Sequence, residues 1–140
     1  MESNKRKGRI TELEVYAKSL AYAEVSIPYG DNCRYDCILD INNKLIKIQI
    51  KTAHKITDTK FSIPFCNKRM SAKGIVKKAY SPEQVDFIAT MWKKQLLLIP
   101  VTGKNKNNMN ISEVLPANGI ISTINLVQYF LPEIQLKQYL

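Results

Sequence analysis

Apolar and polar residues alternate strictly on both sides of Asn42 and Asn43, and this alternation predicts a two-stranded hairpin. Asparagine tolerates the positive φ of a tight turn, so these two residues are the expected turn. Asp36 is then expected to pair with Gln49, and Lys51 to lie on the same face, since side chains alternate with period two. The opposite face is expected to join the core through Tyr35, Cys37, Leu39, Ile41, Ile46, Ile48 and Ile50.

Other periodic segments predict an α/β arrangement. Residues 9–23 carry apolar side chains at helical spacing, and the expected buried stripe comprises Ile10, Leu13, Tyr16, Ala17, Leu20 and Ala21. Short extended segments are expected at 25–28 and 60–65. Residues 85–91 and 95–101 are almost continuously apolar, which is typical of strands covered on both faces of a sheet.

The remaining segments have weaker patterns. Residues 66–79 are basic and 103–110 are rich in asparagine, so both are expected to be loops. In the tail after residue 121, Ile124, Val127, Leu131 and Ile134 recur at helical spacing around Pro132, which predicts a helix with a break. We therefore expect one domain spanning residues 1–140, with a helical tail from about residue 111.

The charge balance favours an anionic partner, either nucleic acid or an acidic membrane surface. The chain has 21 Lys and Arg against 12 Asp and Glu, a net charge of +9. Each charged residue taken singly is as compatible with a solvated loop as with binding. As a group, the candidates for DNA contact are Lys68, Arg69, Lys73, Lys77 and Lys78 in one segment and Lys104, Asn105, Lys106, Asn107 and Asn108 in the other.

The sequence offers no signal for secretion or membrane insertion. No apolar stretch follows the charged N-terminus, and the longest strongly apolar run, 96–101, is too short to span a bilayer. Cys33, Cys37 and Cys66 form no CxxC pair, so we expect buried or half-buried thiols rather than a disulfide framework. A zinc site that includes His54 would match no common ligand spacing.

One group of residues resembles a known family. Asp36, followed after the turn by Gln49, Ile50 and Lys51, resembles the PD-(D/E)XK nuclease motif, and Lys7-Gly8 with Glu12 resembles the opening of that superfamily's small endonucleases. The stretch YGDNCRYDCILDINNKLIKIQIKTA is similar to group I intron-encoded homing endonucleases of this fold. Two positions depart from the motif, since Tyr35 stands where proline is usual and Gln49 where an acid is usual.

The resemblance implies a restriction-endonuclease-like α/β fold with a mixed β-sheet flanked by helices. It also implies a Mg²⁺-dependent (or Mn²⁺-dependent) endonuclease that hydrolyses double-stranded DNA at a specific sequence, for intron homing through a double-strand break. Asp36, the Gln49 side chain and the Ile50 carbonyl would be metal ligands, Lys51 would activate water, and Glu12 would hold a further water. A double-strand cut requires two active centres, hence a dimer or tetramer, in the cytoplasm with the nucleoid or in an organelle.

Three alternatives stay open from the sequence. The polar face of the hairpin could be an ordinary solvated face, as most polar strand residues are. The chain could be a non-catalytic nucleic-acid-binding module, such as an intron-splicing cofactor. It could also be a junction resolvase or a repair nuclease of the same fold.

Overall fold

The structure is a computed structural model that describes residues 3–30, 32–41, 43–104, 107–112 and 124–125, with the backbone alone for 68–70 and 124–125. Its elements are helix α1 (Asn4–Ser19) and strands β1 (Glu24–Ser26), β2 (Cys37–Ile41), β3 (Lys44–Ile50), β4 (His54–Thr57), β5 (Lys60–Pro64), β6 (Cys66–Ser71), β7 (Gly74–Ala79), β8 (Phe87–Trp92), β9 (Gln95–Pro100), β10 (Asn108–Ser112) and β11 (Ile124–Asn125).

A five-stranded mixed sheet forms the centre of the fold, in the order β1-β2-β3-β8-β9. The β2–β3 hairpin has the predicted register, with Cys37 opposite Ile48, and Asn43 adopts a φ of 65° at the turn. Strands β3 and β8 are parallel and the other neighbouring pairs are antiparallel. Asp86 joins β3 to the start of β8, because its carboxylate accepts the Lys47 N–H at 2.8 Å and its own N–H donates to the Lys47 carbonyl.

Two apolar clusters cover the two faces of this sheet. Alternate residues of β8 and β9 point into opposite clusters, which confirms that these strands are buried on both faces. The cluster on the helix side contains Val15, Cys37, Leu39, Ile41, Ile46, Ile48, Ile50, Phe87, Ala89, Leu96 and Leu98. The other contains Phe61, Ile63, Phe65, Tyr80, Val85, Ile88, Trp92, Leu97, Ile99, Val101 and Ile111. Tyr35, expected on the same face of the hairpin as Cys37, packs half-buried against this second cluster instead.

A second sheet, in the order β11-β10-β5-β4, supplies the far wall of that second cluster. Two expectations are wrong here: residues 108–110 belong to β10 rather than to a loop, and Ile124 and Asn125 form a strand parallel to β10 rather than part of a helix. The rest of the predicted helical tail, including Val127, Leu131, Pro132 and Ile134, lies outside the described residues.

Helix α1 begins five residues earlier than predicted and buries a different face. Ser3 caps it by accepting the Arg6 N–H at 3.2 Å. The buried residues are Val15 and Ser19, and Thr11, Glu12 and Tyr16 on the same side are half-buried. The expected apolar stripe is largely exposed, with Leu13 67% and Leu20 59% accessible. Glu12 therefore lies within the packed face rather than at its margin.

The basic segment 66–79 is a β-hairpin rather than a loop. Strands β6 and β7 pair from Cys66 opposite Ala79 to Ser71 opposite Gly74, as a separate two-stranded sheet that we call the ribbon. Gly74 adopts a φ of 113°, a conformation that glycine accepts without strain. Side chains from 71 to 79 are all exposed. Since no side chain from 71 to 79 is buried, strand β7 needs no apolar alternation, and its sequence carries no strand signal.

Candidate active site

Asp36 lies just before β2, at the point where the β2–β3 ladder ends. The ladder stops at Cys37 opposite Ile48, and the Asp36 N–H donates to the Ile48 carbonyl at 2.7 Å, so Asp36 is not the expected ladder partner of Gln49. Leaving the regular register redirects the side chain. One carboxylate oxygen, Oδ2, accepts the backbone N–H of Ile50 at 2.7 Å.

Gln49 and Lys51 lie at the end of β3 beside Asp36. Gln49 is half-buried and pairs with Ile88 of β8. Lys51 follows the strand and its N–H donates to the Ala89 carbonyl at 3.0 Å, which continues the parallel pairing. Its Nζ lies 5.4 Å from the centroid of the Tyr80 ring, within the range of a cation–π interaction. The position of the ammonium group is thus supported by a buried ring.

Glu12 approaches the same place from helix α1. The neighbouring Thr11 hydroxyl accepts a hydrogen bond from the Thr52 hydroxyl at 3.4 Å, which joins the helix to the segment after β3. The negative charge of Asp36 contributes to raising the pKa of Glu12, so the two carboxyls interact electrostatically. The first helix, the start of β2 and the end of β3 therefore converge on one site.

Burial and the like charges of the carboxylates disfavour the ionised forms of the acidic side chains at this site. Burial raises the pKa of Asp36, while the hydrogen bond from Ile50 and the charge of Lys51 oppose that rise. Burial and the charge of Asp36 raise the pKa of Glu12, against the opposing charge of Arg9. Burial, with smaller contributions from these carboxylates, also raises the pKa of Tyr16 to about 12 and that of the Cys37 thiol to about 12. A bound cation would relieve this accumulation of negative charge.

The oxygen donors fit a hard divalent cation. Two carboxylates, the Gln49 amide and the Ile50 carbonyl are the ligand types that Mg²⁺ accepts, with water completing the shell. Within the described part of the chain, no three His, Cys, Asp or Glu side chains are grouped so that they could hold a metal alone. A metal here would therefore depend on neutral oxygens as well as on the carboxylates. The three cysteines are free, with Cys37 and Cys66 buried and Cys33 exposed.

A cavity of about 320 Å³ adjoins Lys51. Its lining residues are Asn4, Lys7, Ile50, Lys51, Thr52, His54 and Pro64. Lys7, from the first turns of α1, and Lys51 give this opening two positive charges beside the carboxylates. A phosphate group entering the cavity would meet both.

The expected DNA-contact residues fall on two neighbouring segments. Lys68 and Arg69 lie on β6, Lys77 and Lys78 on β7, and Lys73 in the turn of the ribbon. Lys104 is exposed in the loop before β10, while Asn105 and Lys106 lie outside the described residues. The Phe65 N–H donates to the Asn107 carbonyl at 2.7 Å, so this loop and the base of the ribbon meet at one end of the β5–β10 pair.

Sequence reasoning missed two residues beside the site, Arg34 and Tyr80. Tyr80 follows the ribbon, is 6% exposed, and has Lys51 and Arg34 against its ring. The signal in the sequence that could have identified Arg34 is a cationic residue two positions before Asp36. Its contact with Tyr80 spans 46 positions and has no local pattern.

The mixed sheet carries Asp36 just before β2 and Gln49 and Lys51 at the end of β3, and helix α1 adds a second acid, Glu12. This combination defines a PD-(D/E)XK-type nuclease fold. The family model for PD-(D/E)XK endonucleases matches residues 2–131, and this chain belongs to that family. The solved structure of a bacterial homing endonuclease, I-Ssp6803I, has the same fold with a TM-score of 0.78 at 20% identity, over 99% of this chain and 95% of that one.

No curated protein sequence matches this chain. Among the described residues, no helix has both the length and the apolar character needed to cross a membrane.

Proposed function

We propose that this nuclease is a Mg²⁺-dependent, sequence-specific DNA endonuclease that makes a double-strand break, in the manner of an intron homing enzyme. The observation that carries this proposal is the convergence of Glu12, Asp36 and Lys51 at one half-buried site in a chain of an endonuclease family. The similarity of fold to the homing endonuclease I-Ssp6803I is the support for the homing role.

Each residue of the site has a distinct task in this proposal. Asp36, the Gln49 side-chain oxygen and the Ile50 carbonyl would hold the cation, which supplies charge neutralisation at the phosphate and lowers the pKa of water. The Asp36 carboxylate is oriented by the Ile50 N–H, so one of its oxygens is fixed. The Lys51 ammonium orients the attacking water at Nζ and offsets phosphate charge; in its neutral amine form it would instead accept the proton of that water at Nζ. Glu12 accepts a hydrogen bond from a water on the helix side.

The ribbon is the proposed element for DNA recognition. A two-stranded antiparallel ribbon has the width to enter the major groove of B-DNA, where base edges are distinguishable. Side chains 71–79 are exposed on both faces, and Lys73, Lys77 and Lys78 supply charge for phosphates. The Lys104 loop lies at the base of the same ribbon and would extend the contact.

The decisive experiment is cleavage of a supercoiled plasmid library with a randomised insert, in Mg²⁺, followed by sequencing of the linear products. We expect one long target to be enriched. With that target, Asp36→Asn should lower the cleavage rate by at least about 100-fold, because even partners of metal ligands are worth 10–100-fold. Lys51→Ala should lower it by about 10²- to 10⁴-fold.

Asp40→Asn is the matched control, since Asp40 lies on the same hairpin strand opposite Leu45 and away from the site. It should cut like the parent. Parental cleavage by both Asp36→Asn and Lys51→Ala would remove the catalytic assignment. A parent chain that binds DNA but cuts none with any divalent metal would instead favour the non-catalytic binding module, for which Gln49 in place of an acid is the supporting observation. Preference for four-way junctions over the linear target would favour a resolvase.

A further inference from the structure

A cationic cavity lies between the ribbon and the segment that leads into Asp36. It has a volume of about 290 Å³, and its lining residues are Arg34, Asn67, Val76, Lys77 and Lys78. Three of these five carry a positive charge and Asn67 adds an amide, whereas the described lining includes no acid. The cavity is distinct from the one beside Lys51 and Lys7.

The guanidinium of Arg34 has an unused hydrogen-bonding edge. Its Nε and Nη2 atoms are buried and have no hydrogen-bond partner among the described residues. Charged donors left buried without a partner are costly and call for an explanation. These two nitrogens form one side of the guanidinium plane, which matches two oxygens of a phosphate in a bidentate pair.

Tyr80 fixes Arg34 in place and relates it to the candidate active site. The Arg34 Cζ atom lies 4.9 Å from the centroid of the Tyr80 ring, and Lys51 Nζ lies 5.4 Å from the same centroid. The two cations are therefore at most about 10 Å apart, the sum of these two distances, which corresponds to about three rises of roughly 3.4 Å measured along the axis of B-DNA. Two fixed cations at this spacing suit two phosphates of the same backbone.

We propose that this cavity is a phosphate subsite, in which Arg34 binds a backbone phosphate of DNA within about three nucleotides of the phosphodiester that Lys51 faces. The subsite deepens, and rests on, the proposed endonuclease function. Lys77 and Lys78 come from the ribbon, so a phosphate held here would fix the ribbon and the cleavage site in one register on the DNA. Arg34 is then a positioning residue for the reaction.

Binding without cleavage tests the subsite directly. In EDTA, the affinity for a random-sequence 30-bp duplex is measured by fluorescence anisotropy across a series of KCl concentrations. Arg34→Gln should raise the Kd about tenfold and reduce the slope of log K against log salt by about one, the value for one lost phosphate contact. Lys44→Gln, at the far turn of the β2–β3 hairpin, is the control and should leave the slope unchanged. A parental slope in Arg34→Gln would overturn the proposal.

A second measurement locates the phosphate and distinguishes a DNA phosphate from a free one. Neutral methylphosphonates are placed singly along the cleavage target. A methylphosphonate at one position within about three nucleotides of the cut should weaken DNA binding by the parent protein. The same methylphosphonate should cause no further loss of binding in Arg34→Gln. Arg34→Lys, which keeps the charge but loses the bidentate edge, should recover only part of the affinity. Titration with inorganic phosphate, followed by the ¹⁵N signal of Arg34 Nε, should need far higher concentrations than DNA; tighter binding of free phosphate would overturn the assignment to DNA.

Two further measurements distinguish a loss of phosphate binding at the subsite from a folding defect and from a failure of the cleavage proposal. If Arg34→Gln lowers the thermal midpoint, the exposed Lys78→Gln tests the same cavity and should also reduce the slope by about one. The anisotropy series contains no metal and needs no cleavage, so it reports on the subsite even if Asp36→Asn cuts like the parent. If Arg34→Gln and Lys78→Gln both keep the parental slope while Asp36→Asn loses cleavage as predicted, the subsite proposal is overturned and the endonuclease proposal stands.

Discussion

Glu12 and Asp36 are two half-buried carboxyls whose pKa values are both raised, chiefly by burial. The folded state therefore keeps their protons to a higher pH than the unfolded state does. Their contribution to stability is complete below the unfolded-state pKa and is lost as pH rises through the folded-state pKa. At neutral pH the protein without metal is expected to be destabilised by its own site.

This sign gives a prediction for Glu12→Gln. In EDTA at pH 7.5 the variant should have a higher thermal midpoint than the parent, because it removes the charge that burial and Asp36 oppose. The difference should shrink as pH falls toward 4.5, the ordinary pKa of this carboxyl, where the parent is also protonated. Glu14→Gln, on the exposed side of α1, is the control. A variant less stable than the parent at pH 7.5 would contradict the prediction.

The same two carboxyls predict metal-dependent stability. Addition of Mg²⁺ at about 100 times its Kd should stabilise the parent by about 2.7 kcal/mol, measured as a rise in the thermal midpoint. Asp36→Asn should lose most of this gain, since it removes the proposed anchoring ligand. Gln49→Glu should keep the gain and shift the preference among Mg²⁺, Mn²⁺ and Ca²⁺, because an acid replaces a neutral ligand. An equal Mg²⁺ response in the parent and Asp36→Asn would place the metal elsewhere.

At the scale of elements, the ribbon joins the proposed recognition surface to the proposed active site. It runs from Cys66 to Ala79 and passes directly into Tyr80, whose ring contacts both Lys51 and Arg34. Displacement of the ribbon would therefore disturb the supports of the ammonium and the guanidinium together. In the proposed binding mode, DNA on the ribbon would be coupled to the site through the buried ring of Tyr80.

Neutralising the ribbon tests its role in DNA binding. Lys73→Gln with Lys77→Gln should reduce the slope of log K against log salt by up to about two, if each lysine neutralises one phosphate. The global stability should change little, because both side chains are exposed. Lys44→Gln with Lys94→Gln, two exposed lysines in other hairpins, controls for the change in net charge. Equal slopes in the two double variants would move the DNA-binding surface away from the ribbon.

The turn of the ribbon gives a separate prediction. Gly74→Ala meets no atom within 4 Å, but its φ of 113° is strained for any residue with a Cβ. We expect a local cost of roughly 1–2 kcal/mol, by analogy with other left-handed positions. Hydrogen exchange should therefore accelerate in β6 and β7 while the five-stranded sheet keeps its protection. Gly8→Ala, in α1 with no atom within 4 Å, is the control and should stabilise the helix.

At the scale of the whole molecule, a double-strand cut requires more than one site. The described part of the chain contains one convergence of Glu12, Asp36 and Lys51, and we infer that the two strands of a duplex require two such sites. We propose a homo-oligomer for this reason. Sedimentation equilibrium should give a mass at least twice 16.0 kDa, and dilution below the dissociation constant of the oligomer should shift the product from linear to nicked plasmid. Concerted double-strand cleavage by a species of 16.0 kDa would exclude this requirement.

The features that could be predicted from the sequence alone are local. The alternation around Asn42 and Asn43 set the register of β2–β3, and the apolar runs at 85–91 and 95–101 predicted strands buried on both faces. These features follow from the alternation of side chains along a strand and from burial, and both can be read from residues that are neighbours in the sequence. The resemblance to the nuclease motif also depended on short stretches, and it led to the correct family.

Which surfaces contact each other depends on the packing of the whole chain. The face of helix α1 that packs on the sheet is the less apolar one, with Val15 and Ser19. This packing brings Glu12 toward Asp36. The second strand of the ribbon has no apolar periodicity to detect, since the side chains from 71 to 79 are all exposed. The grouping of Arg34, Lys51 and Tyr80 joins three distant segments. Contacts between distant segments depend on how the whole chain packs, and no local pattern of residue types encodes them.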